Sequence, residues 1–245
     1  MRAYSWAKEL VYPSSCTICD RRGSWLCAQC ESDWIELRPA LFCDRCGHPI
    51  TSSTCYTCRH MHPAIVKARG VAAYSGWPAS SLQRLKYDRE RDRSVFIAER
   101  MVETLRSLGP VDAFIPVPLH ETRRQDRGFN QSELIARHLS RLTGIPVENA
   151  LIRVKQTASQ TKLNRAQREE NLRNAMARVP GWVADPARHY VLIDDVYTTG
   201  TTTGACAEQL SAAGVENLSV LTFMFDLQGH QLQAYIRMLA ATGSR

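Results

Sequence analysis

An apolar run that ends in two adjacent carboxylates is the feature that most restricts how this chain can fold. Residues 190–193 read Tyr-Val-Leu-Ile, and Asp194 and Asp195 follow directly. A continuous apolar run of this kind is typical of a strand that is buried on both faces of a parallel sheet. The run therefore predicts that both acids lie at the carboxyl edge of an open α/β sheet, where such folds bind their ligands.

The residues after the two acids form a Thr/Gly turn that enters a predicted helix over Thr203–Leu210. Hydroxyl groups, unpaired backbone N–H groups and the positive end of the helix dipole together suit a phosphate dianion. The acids can accept hydrogen bonds from ribose hydroxyls or help to place Mg²⁺. An ordinary strand–turn–helix junction with an exposed acidic turn is the alternative, but it does not require paired acids and four threonines around one glycine.

This stretch resembles the phosphoribosylpyrophosphate (PRPP) motif of type I phosphoribosyltransferases, in which an apolar strand leads to two acids and a Thr/Gly-rich phosphate loop. The resemblance implies that Asp194 and Asp195 hold the ribose hydroxyls and act as the catalytic acids. It also implies a 5′-phosphate site formed by Thr198, Thr199, Gly200, Thr201 and Thr202.

The first 60 residues contain eight of the nine cysteines, arranged as four Cys-x-x-Cys pairs. In a chain expected to be cytoplasmic, pairs at this density indicate structural zinc rather than disulfides. Each pair supplies two thiolates to a tetrahedral ion at a Zn–S distance of about 2.3 Å. We therefore expect two Cys₄ zinc sites, with ligands Cys16, Cys19, Cys27, Cys30, Cys43, Cys46, Cys55 and Cys58.

The four cysteine pairs form an internal repeat, displaced by 27 residues in its first half and 28 in its second. Two tandem ribbons with one zinc each are favoured, and a cross-braced pairing of first with third and second with fourth stays open. A redox role is the weaker alternative, since redox motifs occur singly in a βαβ context. His48, His60 and His62 could be ligands in principle, but eight cysteines already complete two sites.

The formal charge of +7 assumes neutral thiols. Eight thiolates and two Zn²⁺ ions together change it by −4, which leaves about +3. The remaining charge is uneven: residues 120–178 carry twelve Lys/Arg against six Asp/Glu, and residues 179–245 carry three against six. Such a local basic excess suits a polyanion, whether pyrophosphate or nucleic acid.

The rest of the chain alternates predicted strands and helices, which favours one α/β domain with a parallel sheet. We place a double zinc-ribbon domain at residues 1–66 and the α/β domain at residues 67–245. Strands are predicted near residues 69–75, 112–118, 151–154, 175–179, 190–193 and 218–225, and helices near 79–87, 97–108, 134–142, 203–210 and 227–239. His138 is interpreted as a core or boundary residue, and Cys206 as a small buried hydrophobe.

The chain as a whole closely resembles the ComF family, in which a double zinc ribbon precedes a type I phosphoribosyltransferase-like domain. The segments that carry the resemblance are the cysteine pairs, Leu85-Lys86-Tyr87, Pro116 to Gln131, Thr157 to Arg173, and the PRPP motif. The resemblance implies that the loop after the 112–118 strand faces pyrophosphate. Guanidinium groups match phosphate geometry; the candidates in this loop are Leu119, His120, Arg123, Arg124 and Arg127.

A long polar segment over residues 153–173 has little apolar periodicity before Asn164 and is expected to be mobile without ligand. In type I phosphoribosyltransferases the corresponding position carries a lid that closes over PRPP and protects a ribosyl cation from water. The candidate lid residues are Lys155, Gln160, Arg165 and Arg168. A plain surface helix over Leu163–Arg173 is the alternative.

Two classes of function are consistent with these patterns. The first is an enzyme that binds PRPP–Mg²⁺ and transfers ribosyl phosphate to an unidentified acceptor, with release of pyrophosphate. The second is a non-catalytic protein of DNA uptake that binds single-stranded DNA, or a DNA-processing protein, and uses the PRPP fold for ligand sensing. No signal-peptide-like or membrane-spanning apolar run is present, so we expect a cytoplasmic protein without membrane insertion.

Overall fold

The computed structural model describes residues 14–31, 35–37, 42–50, 55, 57–155, 175–227 and 229–241. Within these residues the strands are β1 (Ile65–Ala73), β2 (Ala113–Pro116), β3 (Leu151–Arg153), β4 (Met176–Arg178), β5 (His189–Tyr197) and β6 (Asn217–Phe225). The helices are α1 (Ala28–Glu31), α2 (Gly76–Tyr87), α3 (Arg93–Arg106), α4 (Glu121–Arg127), α5 (Gln131–Thr143), α6 (Thr201–Ser211) and α7 (Gly229–Ala241), with a short 3₁₀ helix at Thr57–His60.

The described strands form a four-stranded parallel sheet in the order β1-β6-β5-β2. The two central strands, β5 and β6, are buried along almost their whole length, as their apolar runs predict. Residues 35–37 extend this sheet, since Leu37 donates to the Val71 carbonyl and Ala73 donates to the Ile35 carbonyl. The predicted fold class, a parallel sheet flanked by helices with N-terminal cysteine clusters, is confirmed.

Alternating side chains of β5 divide the core into two layers. Tyr190 and Leu192 belong to one layer, and Val191 and Ile193 belong to the other. The first layer contains Cys46 of the second cysteine repeat, whereas the other contains Cys16 of the first. The two repeats therefore pack against opposite faces of the same sheet.

Several predicted elements differ from the structure. β5 continues to Tyr197, so Asp194 lies within the ladder opposite Thr222, because Thr222 and Met224 of β6 offer pairing partners beyond Ile193. The loop after β2 contains helix α4, which begins at the N-cap His120 and ends at Gly128 in the left-handed conformation. Helix α6 begins at Thr201, two residues earlier than predicted.

The strands predicted near residues 151–154 and 175–179 exist, but they are not part of the parallel sheet. β3 and β4 form a separate antiparallel pair, in which Leu151 lies opposite Arg178 and Arg153 opposite Met176. The pair brings together the two ends of the segment predicted to be a lid. The boundary predicted at residues 66 and 67 stays a prediction, and β1 already begins at Ile65. None of the helices within the described ranges has the length and apolarity that crossing a membrane requires.

Candidate functional site

The carboxyl end of β2 lies beside the middle of β5, just before the two acids. Pro116 is paired with Ile193, and the amide of Val117 donates to the Ile193 carbonyl at 3.0 Å. The segment after β2 therefore leaves the sheet beside Asp194 and Asp195, as the sequence predicts for a parallel sheet.

Asp194 is a buried carboxylate with two hydrogen-bond donors. Its Oδ1 accepts a hydrogen bond from Ser132 Oγ at 3.0 Å and another from the Asp195 amide at 2.9 Å. Burial and the neighbouring charge of Asp195 raise its pKa to about 7, although both donors and the charge of Lys86 act in the opposite direction. The protonation state of Asp194 therefore changes close to neutral pH.

Ser132 is positioned by the start of helix α5. The side chain of Asn130 accepts from the Ser132 amide at 3.0 Å as an N-cap and donates to the Val117 carbonyl at 2.9 Å. One asparagine thus ties the end of β2 to the helix that supports Asp194.

Asp195 forms an ion pair with Lys86 of helix α2. The Lys86 ammonium lies 2.8 Å from Asp195 Oδ2, and the two side chains are 19% and 8% exposed. Lys86 is the cation that Asp195 Oδ2 faces, and no second donor to this oxygen is found among the described residues. A buried carboxylate oxygen with a single cationic neighbour keeps lone-pair capacity to accept from a ligand hydroxyl.

Two arginines and a thiol interact electrostatically with the two acids. Burial lowers the pKa of Arg127, and the charge of Asp195 partly offsets this effect. Burial and the charge of Arg123 lower the pKa of Arg153, while Cys206 and Asp194 oppose the shift. Cys206 is fully buried, as predicted, and its pKa is raised by burial and by the charge of Asp194.

The predicted phosphate loop connects β5 to helix α6. Thr198 and Thr199 are exposed, and Gly200 occupies the N-cap position in the left-handed conformation, with φ 76°. Thr201 and Thr202 form the first, half-buried turn of the helix. Because Gly200 has no side chain to cap the helix, the first N–H groups of the helix receive no side-chain cap.

Tyr197 supports this loop from below. A side chain built at Gly200 would place its Cβ 2.3 Å from the Tyr197 hydroxyl oxygen. Thr203 hydrogen-bonds to the same hydroxyl and also donates to the Gly200 carbonyl at 3.0 Å, and burial raises the pKa of Tyr197 to about 12. The backbone at Gly200 therefore packs directly onto a buried tyrosine.

The candidates on and before helix α4 divide into two groups. Arg127 lies near Asp195, and Arg123 is close enough to lower the pKa values of both Arg127 and Arg153. Leu119 and Arg124 line a cavity of about 400 Å³ whose lining includes Asn130 and Arg153 but neither of the two acids. His120 accepts a hydrogen bond from the Thr122 amide at 3.2 Å, which is an N-cap role.

The candidate lid can be described only in part. Lys155 is exposed directly after β3. Gln160, Arg165 and Arg168 lie outside the described residues.

The cysteines group by repeat. Cys16, Cys19, Cys27 and Cys30 form one cluster, and Cys43, Cys46, Cys55 and Cys58 form the other, each with all four sulfurs within 4.8 Å. Sulfur–sulfur distances include 3.7 Å for Cys19–Cys27 and 3.3 Å for Cys43–Cys58, and tetrahedral zinc requires about 3.8 Å. Both clusters therefore fit a structural zinc ion, in the tandem arrangement.

The first cysteine of each cluster has the character expected of a zinc ligand. Burial alone would raise their pKa values. Hydrogen bonds from the backbone amides of Cys19 and Cys27 help to lower the pKa of Cys16 to about 6. A hydrogen bond from the backbone amide of Cys46 helps to lower the pKa of Cys43 to about 7. Zinc binds the thiolate form of cysteine. Backbone amides that stabilise the thiolate therefore favour metal binding.

Neither histidine that lies near the second cluster is needed as a ligand. The His48 Nδ1 atom contacts the Cys46 carbonyl at 3.2 Å, and its ring stacks on Phe225 at 4.9 Å. His62 Nδ1 accepts from the Ala64 amide. The His60 side chain lies outside what the structure describes.

Sequence reasoning did not assign the residues that interact with the acids, namely Lys86, Ser132 and Arg153, or Tyr197, which supports the loop after them. Lys86 lies in the quoted Leu-Lys-Tyr segment, but its partner is far away in the chain. Asn130, Gln131 and Ser132 carry a helix-start signal that could have predicted the cap, though not its contact with Asp194.

The sequence is similar to several proteins of known families. Residues 7–62 match a family described as "Double zinc ribbon domain". Competence protein F of Haemophilus influenzae is 31% identical over 204 residues, which cover 80% of this chain and 88% of that protein. DNA utilization protein YhgH of Escherichia coli K12 is 30% identical over 224 residues, which cover 86% of this chain and 96% of that protein.

Similar folds also occur among solved structures. A glutamine PRPP amidotransferase from B. subtilis matches 54% of this chain and 25% of its own, with 23% identity and a TM-score of 0.34. An adenine phosphoribosyltransferase from Leishmania tarentolae matches 64% of this chain and 68% of its own, with 19% identity and a TM-score of 0.36.

Proposed function

Because this chain belongs to the ComF family, with Competence protein F and YhgH among its relatives, we propose that it binds PRPP and Mg²⁺ at the carboxyl edge of β5. There it transfers ribosyl phosphate to a nitrogen acceptor and releases pyrophosphate. The observation that supports this most is the placement of two buried carboxylates next to an uncapped helix start on one strand–loop–helix unit.

Each half of this unit suits one part of the ligand. Asp194 and Asp195 accept hydrogen bonds from the ribose hydroxyls and fix the orientation of the sugar. The hydroxyls of Thr198, Thr199, Thr201 and Thr202 and the N–H groups after Gly200 bind the 5′-phosphate at the positive end of the α6 dipole. A side chain at position 200 would clash with Tyr197, so this position is a glycine. A loop backbone without a side chain here allows a phosphate to approach it closely.

The pyrophosphate half of the ligand lies toward the basic residues around Asp195. Arg127 interacts electrostatically with Asp195, Arg123 interacts with Arg127 and Arg153, and the exposed Lys155 follows β3. The roles assigned to Leu119, His120, Arg124, Arg165 and Arg168 remain predictions. Carboxylate oxygens are ligands that Mg²⁺ accepts, and Asp195 Oδ2 has one cationic neighbour and no second donor among the described residues, so the residues present fit a magnesium ion brought by PRPP. Magnesium supplies charge neutralisation for the departing pyrophosphate.

In the proposed reaction the acceptor nitrogen forms a bond to C1 of the ribose. The bond from C1 to the pyrophosphate oxygen breaks, its electron pair leaves with that oxygen, and the acceptor nitrogen releases its proton to water. Positive charge develops on the ribose ring, where the ionised pair Asp194 and Asp195 stabilises it electrostatically, while arginine and lysine side chains stabilise the leaving group. Lys86 limits the repulsion between the two acids before the ligand binds.

Titration calorimetry with PRPP and Mg²⁺, followed by an assay for pyrophosphate release with candidate acceptors, tests the proposal. We expect Asp194→Asn combined with Asp195→Asn to abolish binding of PRPP, while Glu208→Gln, an exposed acid on helix α6, leaves binding unchanged. Absence of PRPP binding to the folded wild-type protein at millimolar concentration would contradict the proposal. Equal binding by wild type and the double variant would also contradict it.

Single-stranded DNA binding is the second candidate function, supported by the names of the relatives, Competence protein F and DNA utilization protein YhgH, and by the exposed arginines Arg123 and Arg124. Each phosphate contact to a single strand adds about −0.7 to the slope of log affinity against log salt. Changing Arg123, Arg124 and Arg127 together to Ala should then flatten that slope by about 2. DNA binding that is insensitive to this change, beside loss of PRPP binding, assigns the arginines to pyrophosphate.

A further inference from the structure

The last turn of helix α2 carries two neighbouring residues with opposite environments. Lys86 reaches inward and forms its ion pair with Asp195 at 2.8 Å. Tyr87, the next residue and the last of the helix, is 72% exposed. A large aromatic side chain is therefore presented to solvent one residue away from a lysine that contacts the candidate ribose site.

The Tyr87 ring is paired with an arginine of that site. The Arg127 guanidinium carbon lies 5.7 Å from the ring centroid, and Arg127 also interacts electrostatically with Asp195. Arg127 in turn donates to the side chain of Gln131, a buried residue at the start of helix α5. The guanidinium is thus held in place near the ring by a buried partner.

The backbone around Tyr87 is also fixed. The Asp88 amide caps helix α2 by donating to the Arg84 carbonyl. Arg89 adopts the left-handed conformation with φ 58° and donates to the Asp126 carbonyl at 2.9 Å. Arg91 donates to the Gly128 carbonyl at 3.0 Å and lies 5.0 Å from the Phe129 ring centroid. A strained residue held by several contacts indicates a preorganised segment rather than a loosely placed one.

We propose that Tyr87 is a stacking platform for a nucleobase whose phosphate or ribose neighbours bind at the adjacent acids and arginines. This inference rests on the proposed site at Asp194 and Asp195, and it names the chemical class of the second ligand. An exposed ring contributes little to the core, whereas a rigid aromatic face beside cationic side chains is the arrangement that binds bases of phosphate-bearing ligands.

An aromatic base is favoured over an aliphatic or purely anionic ligand for two reasons. An aliphatic group would gain nothing specific from a ring paired with a guanidinium, and an anion alone would be served by Arg123 and Arg127 without Tyr87. Bases stack on aromatic side chains whatever their sequence, because every base has a π-face. The base belongs either to a free acceptor or to single-stranded nucleic acid, and the two sources share this chemistry.

The test compares Tyr87→Leu, which removes the ring, with Tyr87→Phe, which keeps it. Four probes are titrated: PRPP–Mg²⁺, free adenine in the presence of PRPP–Mg²⁺, an oligothymidylate of about 12 nucleotides, and an abasic strand of the same length. We expect Tyr87→Leu to weaken adenine or oligothymidylate binding by roughly 5- to 150-fold, the range measured for loss of one stacking contact. Tyr87→Phe should retain binding, and the abasic strand should show no dependence on the ring.

The probes separate failure of this inference from failure of the proposed function. PRPP affinity that stays at the wild-type value in Tyr87→Leu shows an intact ribose site, so a loss confined to base-bearing probes supports stacking. If PRPP does not bind wild type but oligothymidylate affinity depends on the Tyr87 ring, the proposed function is wrong. The inference that Tyr87 stacks on a base is then supported for single strands. Base-bearing probes that bind Tyr87→Leu as tightly as wild type, or that do not bind wild type at all, overturn the inference. An equal loss for the abasic and base-bearing strands also overturns it.

Discussion

Two adjacent carboxylates in a buried strand are unfavourable unless neighbouring groups compensate for them. Asp194 receives donors from Ser132 and from the backbone, and Asp195 receives the charge of Lys86. The compensation is incomplete, because burial and the neighbouring charge still raise the pKa of Asp194 to about 7. Incompletely compensated groups of this kind are common at functional sites, where a ligand completes the compensation.

The raised pKa of Asp194 makes PRPP binding dependent on pH. The ionised acid accepts from ribose hydroxyls, so we expect affinity to rise by up to about tenfold per pH unit as the pH approaches 7 from below. Calorimetry between about pH 6 and pH 8 measures this change, and Asp194→Asn should remove it. A wild-type profile that matches the Asp194→Asn profile would refute the assignment, since the titrating phosphate of the ligand is common to both.

The same pKa predicts how folding stability depends on pH. In the native state Asp194 binds its proton more tightly than in the unfolded chain, where the pKa is 3.8. Its contribution is fully present below about pH 4 and is lost as the pH rises through about 7, the opposite of an ordinary ion-paired acid. Urea unfolding of wild type and Asp194→Asn across this range measures the effect, and the difference in stability between them should increase in favour of the variant as the pH rises.

Removal of Lys86 should leave the charge of Asp195 uncompensated. We expect Lys86→Met to destabilise the fold by an amount between the ~1 kcal/mol of an exposed pair and the ~3–5 kcal/mol of a buried one. It should also shift the pH dependence of PRPP binding upward, because repulsion between the acids increases. Lys67→Met, at the opposite end of the sheet, is the matched control. If both variants keep the wild-type pH profile, Lys86 has no role at the acids.

At the scale of residues, the sequence predicted what is local and missed what is not. The two acids and the Thr/Gly loop form one continuous pattern, which predicts the strand–loop–helix unit but ends the strand at Ile193, whereas β5 continues through both acids to Tyr197. The partners of the acids come from helices α2 and α5, and no local pattern records a contact between Lys86 and Asp195 or between Ser132 and Asp194. The exposure of Tyr87 was equally hidden, because an aromatic at the end of a helix is compatible with core or surface.

At the scale of elements, the proposed phosphate loop depends on the contact between Gly200 and Tyr197. We expect Gly200→Ala to cost ~1–2 kcal/mol for the left-handed backbone and more for the clash of its Cβ with the tyrosine hydroxyl. Gly144→Ala has nearly the same φ, 79°, but its Cβ would meet nothing within 4 Å, so it isolates the backbone cost. Denaturant unfolding and PRPP titration compare the two variants.

A double variant tests the cause of that difference. Tyr197→Phe removes the hydroxyl, so Gly200→Ala should cost less in this background than in wild type. Additive losses, or equal losses for Gly144→Ala and Gly200→Ala, would show that the close contact does not matter.

The elements that sequence reasoning placed wrongly have physical explanations. The strands near residues 151–154 and 175–179 were assigned from apolar patterns that parallel and antiparallel strands share, and only their pairing with each other shows that they are not part of the main sheet. Helix α4 was interpreted as a loop because its polar sequence has no buried face, and it is defined instead by its caps at His120 and Gly128.

At the scale of the whole molecule, the two zinc ribbons pack against opposite faces of one sheet. The first ribbon is held by arginines of helices α2 and α3: the buried Arg93 donates to Thr17 and packs on Trp25 at 4.6 Å, and Arg84 pairs with Asp20 at 2.6 Å. The second ribbon continues into the core through His48, which packs against both Tyr197 and Phe225. Each ribbon is therefore connected to a different part of the candidate site.

Removing one ligand from each ribbon should have different consequences. We expect Cys55→Ser to release the second zinc and, through His48 and Tyr197, to speed hydrogen exchange across residues 197–204 and weaken PRPP binding. Cys19→Ser should instead speed exchange across residues 84–93, where Arg84 and Arg93 hold the first ribbon, with a smaller effect on PRPP. Free zinc ribbons unfold without metal, at ~10–16 kcal/mol per ion, but packing against the sheet should limit the change here to local opening.

Elemental analysis and hydrogen exchange together decide this prediction. Wild type should contain two zinc ions per chain, one in each cluster, and each variant should contain about one. Faster exchange over the same residues in Cys55→Ser and Cys19→Ser would contradict this prediction. Two ribbons on opposite faces of a sheet should not both act on the loop at residues 197–204. Separate patterns would instead mean that metal loss at the second ribbon weakens the phosphate loop while the first ribbon controls the segment that carries Lys86 and Tyr87.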